Sequence, residues 1–194
     1  MKKIILASQS PRRRELLMQI GVTFTVEVSD AEEKMSGARP DEIVQNLARR
    51  KAEAVAAYHT GEDAVVIGAD TIVVYADEIL GKPKDAADAS RMLRELSGNV
   101  HQVYTGVCVI DTGSGEAIGG AENTFAERTD VYVSKLTDAD IDAYLATGEP
   151  FDKAGSYGIQ GVFARHIEKI DGDYTNVVGL PVGRLWRECL NSIQ

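Results

Sequence analysis

The chain has 194 residues, 44% of them hydrophobic and 26% charged, which suits one soluble globular domain, or one domain with two lobes. Its net charge of −9 argues against general nucleic-acid binding, which needs a broad basic face. The same acidic balance requires that basic residues serving any polyphosphate be gathered where it binds.

Residues 3–8 read as a strand and 11–20 as a helix that ends before Gly21. The apolar run stops at Ala7, too early for the core of a signal peptide. Ser10 stands at the N-cap position and Pro11 at the first helical position, where its missing N–H costs nothing. Arg12, Arg13 and Arg14 follow, at a helix end that already carries partial positive charge. Free N–H groups, the Ser8 and Ser10 hydroxyls and these guanidinium groups together describe an anion site, and phosphate is the usual anion. The alternative is a capped helix with a solvated basic first turn.

Residues 22–28 alternate like a half-buried strand, and 29–39 form an acid-rich polar loop. Residues 40–58 form the clearest helix, opening on Pro40-Asp41-Glu42. The nearly continuous apolar run 64–75 predicts a strand covered on both faces. A helix over 85–96 closes at Ser97-Gly98, and 100–110 and 121–135 are long strands joined through a Gly-rich turn at 112–120. A helix over 138–147 stops at Gly148, and a Gly-punctuated loop covers 150–161. A strand over 162–170, a turn at Asp171-Gly172-Asp173 and a helix over 180–192 complete the chain. Alternating helices and strands followed by hairpins predict an α/β fold with a mixed sheet. No apolar stretch approaches a membrane span. Cys108 and Cys189, far apart and at no metal-ligand spacing, read as core residues of a protein in a reducing compartment.

Asp70 interrupts the apolar run, and a lone carboxylate in a covered strand is costly unless paired, hydrogen-bonded or metal-bound. Such a group is a candidate general base or metal ligand; a strand-end Asp exposed where the sheet stops is the plainer alternative. Lys51 shares the apolar face of the 40–58 helix with Ile43, Leu47, Ala54 and Val55, while Arg49 and Arg50 point elsewhere. It either snorkels to water or reaches a site, and the helix alone does not choose. Gly81-Lys82-Pro83 holds Lys82 in a stiff turn, which is also a common surface feature. Glu32-Glu33 lie in the acidic loop, where one of them and Asp70 suit an oxygen-ligand Mg²⁺ site completed by substrate phosphates. Glycines at 155, 158 and 161 permit close backbone approach to a ligand, and Gln160 offers an amide suited to a base edge. There is no Walker-type loop and no complete Gly-x-Gly-x-x-Gly, and His59, His101 and His166 have no partner at ligand spacing.

These motifs resemble, in order and over almost the whole chain, the Maf family of nucleotide pyrophosphatases. The residues that carry the likeness are Ser8-Gln9-Ser10-Pro11-Arg12-Arg13, Glu33, Lys51, Gly68-Ala69-Asp70-Thr71, Gly81-Lys82-Pro83, Thr105-Gly106-Val107, the 152–161 loop and Val178-Gly179-Leu180-Pro181. The resemblance implies an α/β fold related to inosine triphosphate pyrophosphatase: a long mixed β-sheet with helices, two lobes around a cleft, and one domain over 1–194. It implies a cytoplasmic homodimer that hydrolyses nucleoside triphosphates to monophosphate and pyrophosphate with a divalent metal, Mg²⁺, Mn²⁺ or Co²⁺, and needs no nucleic acid or membrane. Asp70-Thr71 and Tyr157-Gly158-Ile159-Gln160-Gly161 resemble the branch acting on dTTP and UTP rather than the one acting on 7-methyl-GTP. In that branch Arg12, Thr71 and Gln160 hold positions associated with base selection, and Asp70 is the proton acceptor. Ser8, Ser10, Arg13, Lys51 and Lys82 then hold the triphosphate, with Glu33 and Asp70 at the metal. Ser156 departs from the more usual Ala, and Arg14 stands at a variable position and receives no role. The family's link to arrest of cell division leaves a second reading, a nucleotide-binding regulator with little turnover. A third is a housecleaning enzyme for modified pyrimidine nucleotides.

Overall fold

In the computed structural model, residues 2–30, 36–113, 121–191 and 193 are described. They contain seven strands: β1 (Lys3–Leu6), β2 (Thr25–Val26), β3 (Ala64–Tyr75), β4 (Glu78–Leu80), β5 (Val100–Asp111), β6 (Glu122–Val133) and β7 (Ile167–Asp171). The sheet order is β2-β1-β3-β5-β6-β7, with β4 paired to β3. β1 runs parallel to both β2 and β3, whereas β4 is antiparallel to β3 and β7 to β6. The α/β fold with a mixed sheet is as the alternation predicts. The chain divides into two compact units: Met1–Asp70 with Thr105–Glu127 and Gly179–Gln194, and Thr71–Tyr104 with Arg128–Val178.

In the first unit, β1 is apolar through Ile4-Ile5-Leu6 and fully covered, so it forms a central strand. Helix α1 (Pro11–Gln19) follows it, capped by Ser10 with Pro11 in the first turn. Helix α2 (Pro40–Ala56) lays Val44, Ala48, Ala52 and Val55 on the sheet. Its approach is close because two strand positions lack a side chain. A Cβ on Gly68 of β3 would overlap the Ala48 carbonyl and stand 2.7 Å from the Ala52 nitrogen. One on Gly106 of β5 would overlap the Val44 carbonyl and stand 2.7 Å from the Gln45 nitrogen. Cys108 is buried in this same layer, and burial pushes its thiol pKa up to about 12, so it is a core residue rather than a nucleophile.

The second unit packs α3 (Ala86–Leu96) and α4 (Asp138–Leu145) through Leu93, Leu96, Ile141 and Tyr144. Asp85 caps α3, and Thr137 and Asp140 form a reciprocal capping box at α4. Tyr144 and Tyr157 each pack, with tilted rings, against buried Phe163 at 5.0 Å between ring centroids.

Several elements differ from the periodicity. The strand expected over 22–28 is regular only at Thr25–Val26, because this sheet edge is exposed and offers no buried face to extend it. The strand expected over 162–170 opens as a 3₁₀ turn, Val162–His166, which turns Phe163 into the aromatic cluster before β7 begins. Helix α5 (Tyr174–Val178) falls where no element was expected. The last helix is α6 (Val182–Leu185) running into a wider π turn, Trp186–Leu190. Most of the expected turn at 112–120 lies outside the described residues. No described helix is long and apolar enough to cross a membrane.

A charged clasp closes the edge of the first unit. His59, buried just after α2, has Nδ1 2.8 Å from Glu62 and Nε2 2.8 Å from Glu27. Donating to both carboxylates requires both ring protons, so the imidazolium is favoured and its pKa rises above 6.5, first through Glu27 and then Glu62. The bond to His59 holds the Glu27 carboxyl below its ordinary 4.5. The raised His59 pKa means its stabilisation is complete below 6.5 and lost as pH rises through the folded value. The Glu27 contribution is present above 4.5 and lost as pH falls through its folded value. The melting-temperature loss in His59→Ala is therefore expected to be largest between the two ordinary values and to shrink as pH rises through the folded His59 value. A loss independent of pH in melts across that range would refute the clasp.

Candidate active site

The strand order 2-1-3 makes β1 and β3 a topological switch point, with neighbouring connections leaving in opposite directions. In open α/β sheets the carboxyl ends of the strands at such a point are where ligands bind. Here β1 ends at Leu6, paired with Ile67 of β3, and the Ala7 N–H donates to the Ile67 carbonyl at 2.8 Å. Ser8 to Ser10 form the loop beyond β1, and Asp70 stands past Ile67, the last β3 residue paired with β1.

The loop is built around Ser8. Its Oγ accepts from the Ser10 N–H at 3.2 Å and from Arg13 Nη1 at 3.1 Å. The Ser10 hydroxyl in turn accepts from the Arg13 N–H at 3.4 Å, the N-cap bond expected from sequence. Arg13 is buried, and its Nε donates to the Gly179 carbonyl at 2.8 Å. The guanidinium thus fastens the loop to a segment 166 residues further along the chain. This gives Val178-Gly179-Leu180-Pro181, which sequence alone left without a role, a structural one: Gly179 has φ 128, a conformation suited to glycine, and that backbone presents its carbonyl to Arg13. Arg12 is partly exposed, and Arg14 points to solvent.

Lys51 does not snorkel to water. Its Nζ lies 2.6 Å from Asp70 Oδ1, and the two side chains retain 14% and 15% of their exposure. The seating of α2 on Gly68 and Gly106 brings Lys51 to this position. Arg49 and Arg50 do point elsewhere, to Glu122 and to Ser36. The Asp70 carboxylate meets the Lys51 ammonium while keeping a small exposed area. It is suited to accept a proton or to meet a cation.

Thr71 follows Asp70 on β3 and is partly buried. In the second unit, Lys82 is exposed in the turn before α3, and Gln160 is exposed at the tip of the 158–161 turn. Glu33 lies outside the described residues. Among the described residues, no cluster of three or more His, Cys, Asp or Glu side chains is arranged to hold a metal. Of the two carboxylates expected at a metal, the described residues include Asp70, one oxygen of which meets Lys51.

Residues 3–192 match the family model described as Maf-like protein. A dTTP/UTP pyrophosphatase of Agathobacter rectalis is 52% identical over 199 residues, covering 97% of this chain and 96% of that protein. A dTTP/UTP pyrophosphatase of Bacillus cytotoxicus is 53% identical over 189 residues, covering 97% and 94%. Among solved structures, the Staphylococcus aureus Ham1 protein aligns with a TM-score of 0.47 at 18% identity, over 68% of this chain and 72% of that one. The chain is a member of the Maf-like protein family.

Proposed function

We propose that this protein is a nucleoside triphosphate pyrophosphatase that hydrolyses dTTP and UTP to the monophosphate and pyrophosphate. The observation that carries the reading is the Asp70–Lys51 pair at the β1/β3 switch point, beside a helix N-terminus and its serine-rich loop. The relatives named for this activity share about half of their residues with this chain over nearly its whole length.

In this mechanism Asp70 accepts a proton from the water as its oxygen bonds to the α-phosphorus, and the bond from that phosphorus to the α–β bridging oxygen breaks, releasing pyrophosphate. Lys51 orients the Asp70 carboxylate before the reaction. The Ser8 and Ser10 hydroxyls bind phosphate oxygens at the N-terminus of α1, and Arg13 holds their loop while adding positive charge. Lys82 neutralises charge that develops on pyrophosphate, and Arg12, Thr71 and Gln160 select the base. Asp70 and Glu33 are the residues that would hold a divalent ion, Mg²⁺, Mn²⁺ or Co²⁺. Such an ion, when bound, supplies charge neutralisation on the phosphates.

The deciding assay is pyrophosphate release from a panel of canonical and modified nucleoside triphosphates with each metal. Release from dTTP and UTP ahead of purine triphosphates is the expected result; nucleotide binding without release would replace this reading with that of a regulator. Lys82→Ala is expected to lower kcat/KM about tenfold or more, as loss of one charged contact to phosphate does. Unchanged kinetics would return Lys82 to an ordinary surface turn.

A further inference from the structure

Gln160 is exposed, yet its backbone is fastened on every side. The turn that carries it is closed by the Gly161 N–H donating to the Gly158 carbonyl at 3.3 Å. Before the turn, the Gly158 N–H donates to Tyr144 Oη at 3.2 Å. After it, the Val162 N–H donates to the Glu149 carboxylate at 3.1 Å, against which Gly161 packs so closely that a Cβ there would overlap it. Upstream, Gly155 and Ser156 stand in succession at φ 67 and φ 60. A serine in this region is held there by its surroundings. Here the buried Ser156 hydroxyl meets the Met92 sulfur at 3.1 Å, and the Gly155 N–H donates to the Gly81 carbonyl at 3.1 Å.

One contact in this framework has no part in the mechanism above. Tyr157 Oη lies 2.7 Å from His101 Nε2, with the rings edge to face at 5.2 Å between centroids. His101 is fully buried on β5, and burial pushes its pKa down to about 4, so the ring is neutral. Burial also raises the Tyr157 pKa, which keeps the hydroxyl protonated. The O–H therefore donates to Nε2, and the single imidazole proton sits on Nδ1. Nδ1 has no hydrogen-bond partner among the described residues. Packing alone would favour an apolar pair of the same shape, since replacing both partners removes the unpaired group at little cost. What an apolar pair lacks is direction.

We propose that the His101–Tyr157 hydrogen bond is a positioning device for base recognition, fixing the loop so that the Gln160 amide meets the pyrimidine edge at a set distance. The proposal rests on the reading of Gln160 as a base contact. The Gln160 amide can accept from a ring N–H and donate to a ring carbonyl, a pattern that a uracil or thymine edge offers. Misplacement by about 1 Å is enough to forfeit much of such a contact.

The test is a double-mutant cycle on the full chain, reading kcat and KM for UTP and dTTP with folding checked by circular dichroism. Tyr157→Phe keeps the ring stack and removes only the hydroxyl. It is expected to raise KM about tenfold while kcat stays within about twofold. His101→Gln, whose amide oxygen can still accept from Tyr157, should keep most of the wild-type KM, whereas His101→Leu should match Tyr157→Phe. Because Tyr157 acts through Gln160, Tyr157→Phe combined with Gln160→Ala should be no worse than Gln160→Ala alone. Additive losses, or a Tyr157→Phe KM equal to wild type while Gln160→Ala is impaired, would overturn the positioning role and leave the base-contact reading standing. A Gln160→Ala variant with unchanged KM would overturn both. Nitrogen NMR of the wild-type imidazole gives a readout free of mutation: a proton on Nε2 rather than Nδ1 would refute the assigned bond.

Discussion

Asp70→Asn is expected to lower kcat for pyrophosphate release by about 100- to 10,000-fold, the usual contribution of one acid–base group, while the protein stays folded. The substitution keeps the shape of the side chain and a carbonyl oxygen that can still accept from Lys51 Nζ, now 2.6 Å from Oδ1. It removes the negative charge and the proton-accepting oxygen. Both residues keep some exposure, so Lys51 can find water and is not left as a sealed, unpaired charge. A Michaelis constant that changes little beside a collapsed kcat would mark a group acting in the transition state. Turnover near wild type with a native circular dichroism spectrum would remove Asp70 from the mechanism.

Gly106→Ala should cost about 3 kcal/mol of stability, at the upper end of the cost of overpacking. The added Cβ meets main chain, the Val44 carbonyl and the Gln45 nitrogen, rather than a side chain that can rotate away. Relief requires lifting α2 from the sheet. Since α2 carries Lys51, the same shift pulls the ammonium from Asp70, so kcat should fall along with the urea midpoint. Gly68→Ala, which meets Ala48 and Ala52 one turn further along α2, should behave alike. An unchanged midpoint in Gly106→Ala would mean that α2 is not seated as described.

Much of the first unit could be read from local sequence. Ser10 and Pro11 announce a helix start because the unsatisfied N–H groups of a first turn select those residue types. Asp70 stood out because an apolar strand tolerates a carboxylate only with a partner. The partner was less legible: Lys51 fits both a snorkelling and a site-facing reading, and nothing within α2 distinguishes them. The strand expected over 162–170 shows the same limit from another side. Its alternation is compatible with β structure, but Phe163 gains more by packing between Tyr144 and Tyr157 than by extending the sheet edge.

Local physics thus determined the strand–turn–helix at the N-terminus, the covered central strand and the residue types able to handle a phosphate, because capping, periodicity and the cost of a buried charge act over a few neighbouring residues. Tertiary structure alone decided that Lys51 meets Asp70, that Arg13 is tied to the Gly179 carbonyl, and that His101 meets the Tyr157 hydroxyl. Each of those contacts joins residues far apart in the chain. Each depends on how closely two backbones approach, which is set by packed glycines and sheet register rather than by any residue's own neighbours.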